Sequence, residues 1–146
     1  MIFRFNQQTN YAIRMLISLA KREIGMRAST SEIRQEMIIP HSFAQHIIAK
    51  LAKGAFVQTF PGRDGGVALA RPAKEITLRQ LLEFFENDIQ SSECKKNKDT
   101  CPFTGNCPIC VQKERLQKLI SDELELINFE DLVNESKYTN IVKFPV

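Results

Sequence analysis

Three of the chain's six glycines fall within Pro61-Gly62-Arg63-Asp64-Gly65-Gly66, and β-prone runs flank that stretch. Phe56-Val57-Gln58-Thr59-Phe60 precedes it, and Val67-Ala68-Leu69 comes after it. Glycine reaches backbone conformations that other residues avoid, and proline pre-sets a turn, so the pattern predicts a short hairpin. The alternation within the two runs is imperfect, which leaves the strand edges open.

The chain before the hairpin is helical. Tyr11, Ile13, Met15, Leu16, Leu19 and Ala20 recur at helical spacing, predicting a first helix over residues 7–22, with Gly25 as its stop. Ser29 and Glu32 have the spacing of a capping box, which opens a short second helix carrying Ile33 and Met37. Ile38-Ile39-Pro40-His41 breaks it, because the residue before proline is biased away from helical geometry. Ser42 and Gln45 repeat the capping spacing and predict a third helix with Phe43, Ile47, Ile48 and Leu51 inward, ended by Gly54. Beyond the hairpin, Thr77 caps a fourth helix with Leu78, Leu81, Leu82 and Phe85 on one face. A long final helix is expected from Val111, with Leu116, Leu119, Ile120, Leu124 and Ile127 along one side. Asn128 ends it and caps a helical turn around Glu130–Asn134.

Composition narrows the class. With 43% hydrophobic residues the chain holds enough apolar surface for a core. No apolar run reaches the ~18 residues of a membrane span, and residues 1–6 lack the pattern of a secretory signal. The expected compartment is the cytosol, where thiols stay reduced. The net charge of +3 is uneven: residues 1–90 carry 12 Lys and Arg against 8 Asp and Glu, and residues 91–146 carry 8 against 9. A basic first part suits a polyanion, or simply a solvated surface.

Three helices and then a hairpin, with the second and third helices short and closely joined, make a winged helix-turn-helix. The fold class is therefore mainly α with a small β wing. A helix can enter the major groove of double-stranded DNA if its buried stripe leaves polar side chains outside. The third helix offers Ser42, Gln45, His46, Lys50 and Lys53 there. Gln can pair with adenine, the lysines can neutralise phosphates, and Arg63 in the wing can reach a phosphate or the minor groove. Each also has a plainer role: Ser42 and Gln45 as caps, His46 and the lysines as solvated surface, the glycines as an ordinary turn. The scarcity of catalytic acid–base residues argues against an enzyme.

All four cysteines lie within 17 residues, Cys94, Cys101, Cys107 and Cys110, spaced C-x6-C-x5-C-x2-C among polar neighbours. Four thiolates on one segment can close around a soft metal. Zinc sites favour paired short spacings, and only Cys107–Cys110 has one. An iron–sulfur cluster accepts irregular spacing. The Cys107-Pro108-Ile109-Cys110 frame also admits a redox-switched disulfide, although the surrounding pattern is not that of a thiol oxidoreductase. Spacing alone leaves cluster and zinc both open.

The stretch Ser42 to Glu86, with Leu51-Ala52-Lys53-Gly54-Ala55-Phe56-Val57, Gly62-Arg63-Asp64-Gly65-Gly66-Val67-Ala68-Leu69-Ala70-Arg71-Pro72 and Ile76-Thr77-Leu78, resembles the Rrf-two family of bacterial regulators. Tyr11-Ala12-Ile13-Arg14 matches that family's first helix, and the likeness fades after about Val133. The family includes iron–sulfur assembly regulators and nitric-oxide-sensing repressors. The resemblance implies a homodimer on a palindromic operator, with a C-terminal dimerisation helix at Val111 to Asn128. It places the family's three-cysteine segment on Cys94, Cys101 and Cys107, which favours an iron–sulfur cluster, 2Fe–2S or 4Fe–4S, over zinc.

Some relatives carry a histidine three residues after the third cysteine, where this chain has Cys110. Others borrow an acidic residue from the partner subunit's first helix, where this chain has about Asn10. Cys110 is therefore expected to complete an all-thiolate site. Two departures are clear: Pro61 replaces an arginine of the wing, and Gln45 stands where cluster regulators often carry an acid.

The expected organisation is a DNA-binding unit over 1–90, a cysteine-rich segment over 91–110, a dimerisation helix and adjoining turn over 111–134, and a tail over 135–146. The expected function is redox, nitric-oxide or iron sensing by a transcriptional regulator. A zinc-stabilised or thiol-switched repressor is one alternative. An iron–sulfur electron-transfer or thiol-redox protein without DNA binding is another.

Overall fold

The structure, a computed structural model, describes residues 4–86, 101–103 and 107–138, with backbone only for 136–138. Six α-helices and one small sheet are placed among these residues: α1 Gln7–Ala20, α2 Thr30–Met37, α3 His41–Lys53, β1 Val57–Phe60, β2 Gly66–Leu69, α4 Leu78–Phe85, α5 Pro108–Leu126 and α6 Phe129–Tyr138. A 3-10 turn over Ala73–Glu75 joins β2 to α4.

Helix α1 is the axle of the fold. Asn6 caps it, its side chain accepting the Thr9 N–H at 2.8 Å, and Ala12, Met15, Leu16 and Leu19 are all buried. It packs against α2, α3, α4 and α6. Each fully buried Leu or Met contributes about 1.5–3 kcal/mol through removal of apolar area from water. The helix stops at Ala20, two residues before the expected end, with Lys21 as its C-cap.

The predicted caps of α2 and α4 form as expected. Ser29 and Glu32 exchange side chain-to-backbone bonds at 2.8 and 3.1 Å, and Thr77 and Gln80 do the same. The cap predicted for α3 does not form. Pro40 is the N-cap, its carbonyl accepts from the Phe43 and Ala44 N–H groups, and the helix already begins at His41. Proline has a fixed φ and no donor, so it suits a helix entrance. Ser42 therefore lies inside the first turn instead of before it.

The end of α3 also differs. Gly54 is the C-cap at φ −81°, and the left-handed residue is Ala55 at φ +58°. Gly54 is required by packing: a Cβ there would stand 2.7 Å from the Phe56 ring and 3.0 Å from Phe84.

β1 and β2 pair antiparallel, Val57 with Leu69 through Phe60 with Gly66. Val67 and Ala68 are both buried, which explains the imperfect alternation of the sequence. Ala28 adds an isolated antiparallel bridge to Val67, on the free side of β2.

Two differences concern the C-terminal part. α5 begins at Pro108, three residues before the expected start, and ends at Leu126 because Ile127 and Asn128 are extended. The Leu78 N–H donates to the Ile127 carbonyl at 2.8 Å and the Phe129 N–H to that of Ile76 at 3.1 Å. Asn128 caps the next element, as expected, accepting the Asp131 N–H at 2.9 Å. That element is a ten-residue helix, α6, rather than a single turn. Phe129 is fully buried in the main core, so the chain after α5 shares the core of residues 4–86. Among the described residues no helix is long and apolar enough to cross a membrane.

Candidate nucleic-acid interface and cysteine site

The surface of α3 is set by what it buries. Ala44, Ile47, Ile48 and Leu51 face the core, which leaves Ser42, Gln45, His46, Ala49 and Lys53 exposed on the opposite side. Since no side chain caps α3, Ser42 and Gln45 are not engaged at its N-terminus. His41 joins them as the first helical residue, also exposed. Lys50 is placed differently: it is half-buried, and its ammonium lies 4.5 Å from the Phe85 ring centroid on α4. The turn before α3 holds Ile38 at φ +53°, 82% exposed, a left-handed conformation that a β-branched residue adopts only at a cost.

The wing projects beside this surface. Pro61, Gly62, Arg63 and Asp64 are exposed, and the Gly65 N–H closes the turn onto the Gly62 carbonyl at 3.1 Å. A Cβ on Gly65 would collide with the Phe60 carbonyl oxygen, so the tight return needs glycine. The expected DNA-facing residues thus fall into two exposed groups, one on α3 and one at the wing tip, with Lys50 turned toward α4. Sequence reasoning missed Arg27, whose guanidinium carbon lies 3.7 Å from the Phe60 ring centroid. Its signal would have been the Ala28–Val67 bridge, a single pair that leaves no pattern in the sequence.

Of the four cysteines, Cys94 lies outside the described residues, and Cys101, Cys107 and Cys110 are each half-buried. Cys107 is the N-cap of α5, Pro108 occupies the first helical position, and Cys110 completes the first turn, its N–H donating to the Cys107 carbonyl at 3.1 Å. The Cys107 thiol is held below its ordinary value, first by the Cys110 backbone N–H. Burial opposes this, while the Cys110 side chain, the Ile109 N–H and the Lys113 charge add to it. A helix N-terminus favours an anion at its cap, as a thiolate is. Among the described residues no three His, Cys, Asp or Glu side chains form a group that could hold a metal ion. Asn10, the position matching the borrowed acid, is exposed and donates to the Phe5 carbonyl at 3.4 Å.

A family model described as Rrf2, "Iron-dependent Transcriptional regulator", matches residues 5–135. The chain belongs to the Rrf2 family. Protein aau3 of Rhizobium meliloti (strain 1021) is 30% identical over 141 residues, covering 95% of this chain and 90% of that protein. The HTH-type transcriptional regulator NsrR of Oceanobacillus iheyensis is 29% identical over 130 residues, 88% of each chain. The fold matches that of T. potens IscR with a TM-score of 0.75 at 17% identity, covering 99% of this chain and 96% of the other. This Rrf2 protein is a DNA-binding transcriptional regulator and not an enzyme. The reading as an electron-transfer or thiol-redox protein without DNA binding is thereby set aside. The winged helix-turn-helix expected from the sequence is the fold of the family.

Proposed function

We propose that this Rrf2 regulator binds a palindromic operator as a homodimer. We further propose that a metal centre on Cys94, Cys101, Cys107 and Cys110 sets its affinity. The observation that carries the reading is the C-x2-C frame at the head of α5, where Cys107 caps the helix and Cys110 sits one turn inside it. The donor set is all thiol, the set that soft metals and iron–sulfur clusters take. A cluster held there would supply a centre sensitive to redox state, nitric oxide or iron supply; zinc would supply structure alone.

The protein's own residues connect that site to DNA. α5 buries none of its residues in the protomer, and Ile109, Leu116, Leu119 and Leu126 are all more than half exposed. With Gln112 and Glu123 they keep a three–four spacing, the seam of a helix pair. A second copy of the chain covers this seam, and two-fold symmetry makes the patch meet itself. Ile109 belongs both to the seam and to the cysteine frame, so a change at the thiols reaches the dimer contact directly. Half-sites lie about one DNA turn, ~34 Å, or a multiple apart, so a small change in subunit geometry alters operator affinity. Ser42, Gln45, His46 and Lys53 face the groove, Arg63 approaches from the wing, and Lys50 braces α3 against α4 beside any phosphate contact.

Anaerobic purification with an absorption spectrum and iron, sulfide and zinc analysis tests the site. Cluster absorbance with stoichiometric iron and sulfide is expected. A colourless zinc protein, or one without metal, would contradict it. Cys110→Ala is expected to change the spectrum and lower the cluster content; an unchanged spectrum removes Cys110 from the ligand set. A second reading, a thiol-switched repressor, is favoured by the depressed Cys107 thiol beside Cys110. In that case the metal-free protein alone changes operator affinity on oxidation.

A further inference from the structure

Arg27 immediately precedes Ala28, whose backbone exchanges hydrogen bonds with Val67 at 2.9 and 2.8 Å. The Arg27 guanidinium approaches the Phe60 ring more closely than any other cation–ring pair among the described residues, at 3.7 Å from the centroid. One of its N–H groups donates, at a long 3.4 Å, to the Asp64 carbonyl in the wing turn. Phe60 is the last residue of β1 and pairs with Gly66, the first of β2. A Cβ on Gly66 would stand 2.6 Å from the Ala28 carbonyl oxygen and 3.5 Å from the Arg27 Cβ. Gly66, with no side chain, therefore leaves room for Arg27 to reach across the start of β2 to Phe60 at the end of β1.

This matters because the exposed turn is otherwise closed by a short-range bond within itself, from the Gly65 N–H to the Gly62 carbonyl. A two-stranded hairpin is marginal by itself, and Pro61 through Asp64 are exposed. Binding that must first order such a loop is weakened by the cost of ordering it. A planar guanidinium can stack on an aromatic face and donate along its edge at the same time. A lysine ammonium, a compact point charge, has no flat face to stack on the ring and no fixed fork to hold that geometry.

We propose that Arg27 is a positioning residue for DNA binding: it splints the wing, so that Arg63 meets DNA in one geometry. Its consequence for affinity rests on the wing–DNA contact proposed above; the splint itself does not. The chemistry distinguishes it from an ordinary phosphate contact, for which charge is enough and lysine serves.

The test uses the full-length protein with Arg27→Lys and Phe60→Leu, the second removing the ring while keeping an apolar side chain. Amide exchange in the peptide spanning 60–66 is expected to quicken in both variants, while α1 exchanges as before. Operator affinity at fixed salt should weaken about three- to tenfold in each, the size expected for losing a stacked cation. The double variant should be no weaker than either single one. Wild-type exchange and affinity for Arg27→Lys would overturn the proposal in favour of a charge contact. Additive losses in the double variant, or faster exchange throughout the core, would also overturn it. An Arg63→Ala protein with unchanged operator affinity would remove the wing–DNA contact instead, and the exchange data would still decide on Arg27.

Discussion

Residues 4–86 and helix α5 both carry apolar side chains at helical spacing, and they use them to opposite ends. In the first region a large set of them converges on one core: Leu16, Ile33, Ile47, Leu51, Ile76 and Leu81 are each at most 1% exposed. α5, at nineteen residues, buries none, and Leu126 is 72% exposed. The helix leans on α4, and its C-terminal end is tied there by the Thr77 hydroxyl donating to the Glu125 carboxylate at 3.2 Å and by the Leu78–Ile127 backbone bond. The contrast teaches that a helical period reports an apolar face without saying which molecule covers it. One face is answered within the protomer; the other is the one the proposed dimer would cover with a second copy.

That division can be broken at several places. The largest effect is expected at Phe129, which brings the chain back from α5 into the first core. Phe129→Ala should lower unfolding stability by about 3–5 kcal/mol, read from denaturant midpoints on a monomeric background. A loss under about 1 kcal/mol would show that α6 is not part of that core. Leu119→Asn attacks the other face. It should leave the protomer's secondary structure intact and shift sedimentation toward monomer, with about 1.5–3 kcal/mol lost per protomer. Unchanged sedimentation would place the dimer contact elsewhere.

A smaller effect comes from the polar tie between α1 and α2. The Ser18 hydroxyl donates to Glu36 at 2.6 Å, and Arg22 and Lys21 lie at 3.2 and 3.5 Å from its carboxylate. Burial raises the Glu36 pKa, but the Ser18 and Arg22 hydrogen bonds and the two cations outweigh it and hold the group below its ordinary value. A depressed carboxylate contributes stability above its unfolded value and loses it as pH falls through the folded one. Because the pair is partly exposed, the contribution is well under about 1 kcal/mol. Glu36→Gln should be less stable than wild type near neutrality and converge with it on acidification below the usual carboxylate range. Parallel stability curves over that range would contradict the tie.

Much of the recognition half was legible in the sequence because it rests on local rules. The Ser29–Glu32 and Thr77–Gln80 boxes act over three residues, and the glycine turn of the wing acts over six. The α3 entrance misled because Ser42 and Gln45 satisfy the same spacing, while Pro40, two residues earlier, already supplies a donor-free helix start. α5 began early for a related reason: Pro108 is a preferred first helical residue, and the cysteine pattern around it pointed toward a metal site alone. The return of Phe129 to the core, the Ala28–Val67 bridge and the Arg27–Phe60 stack were not legible. Each depends on residues more than thirty positions apart. The cysteine site was proposed from residue type alone, and Cys94 of its proposed ligand set lies outside the described residues.

At the centre stands the proposal that the thiols at the head of α5 govern what α3 and the wing do to DNA. Operator affinity measured at one salt concentration, for anaerobically purified protein before and after removal of its metal, tests this most directly. At least a tenfold difference between the two forms is predicted, about 1.4 kcal/mol, with the difference abolished in a protein lacking the cysteines. Equal affinities for the two forms would contradict it.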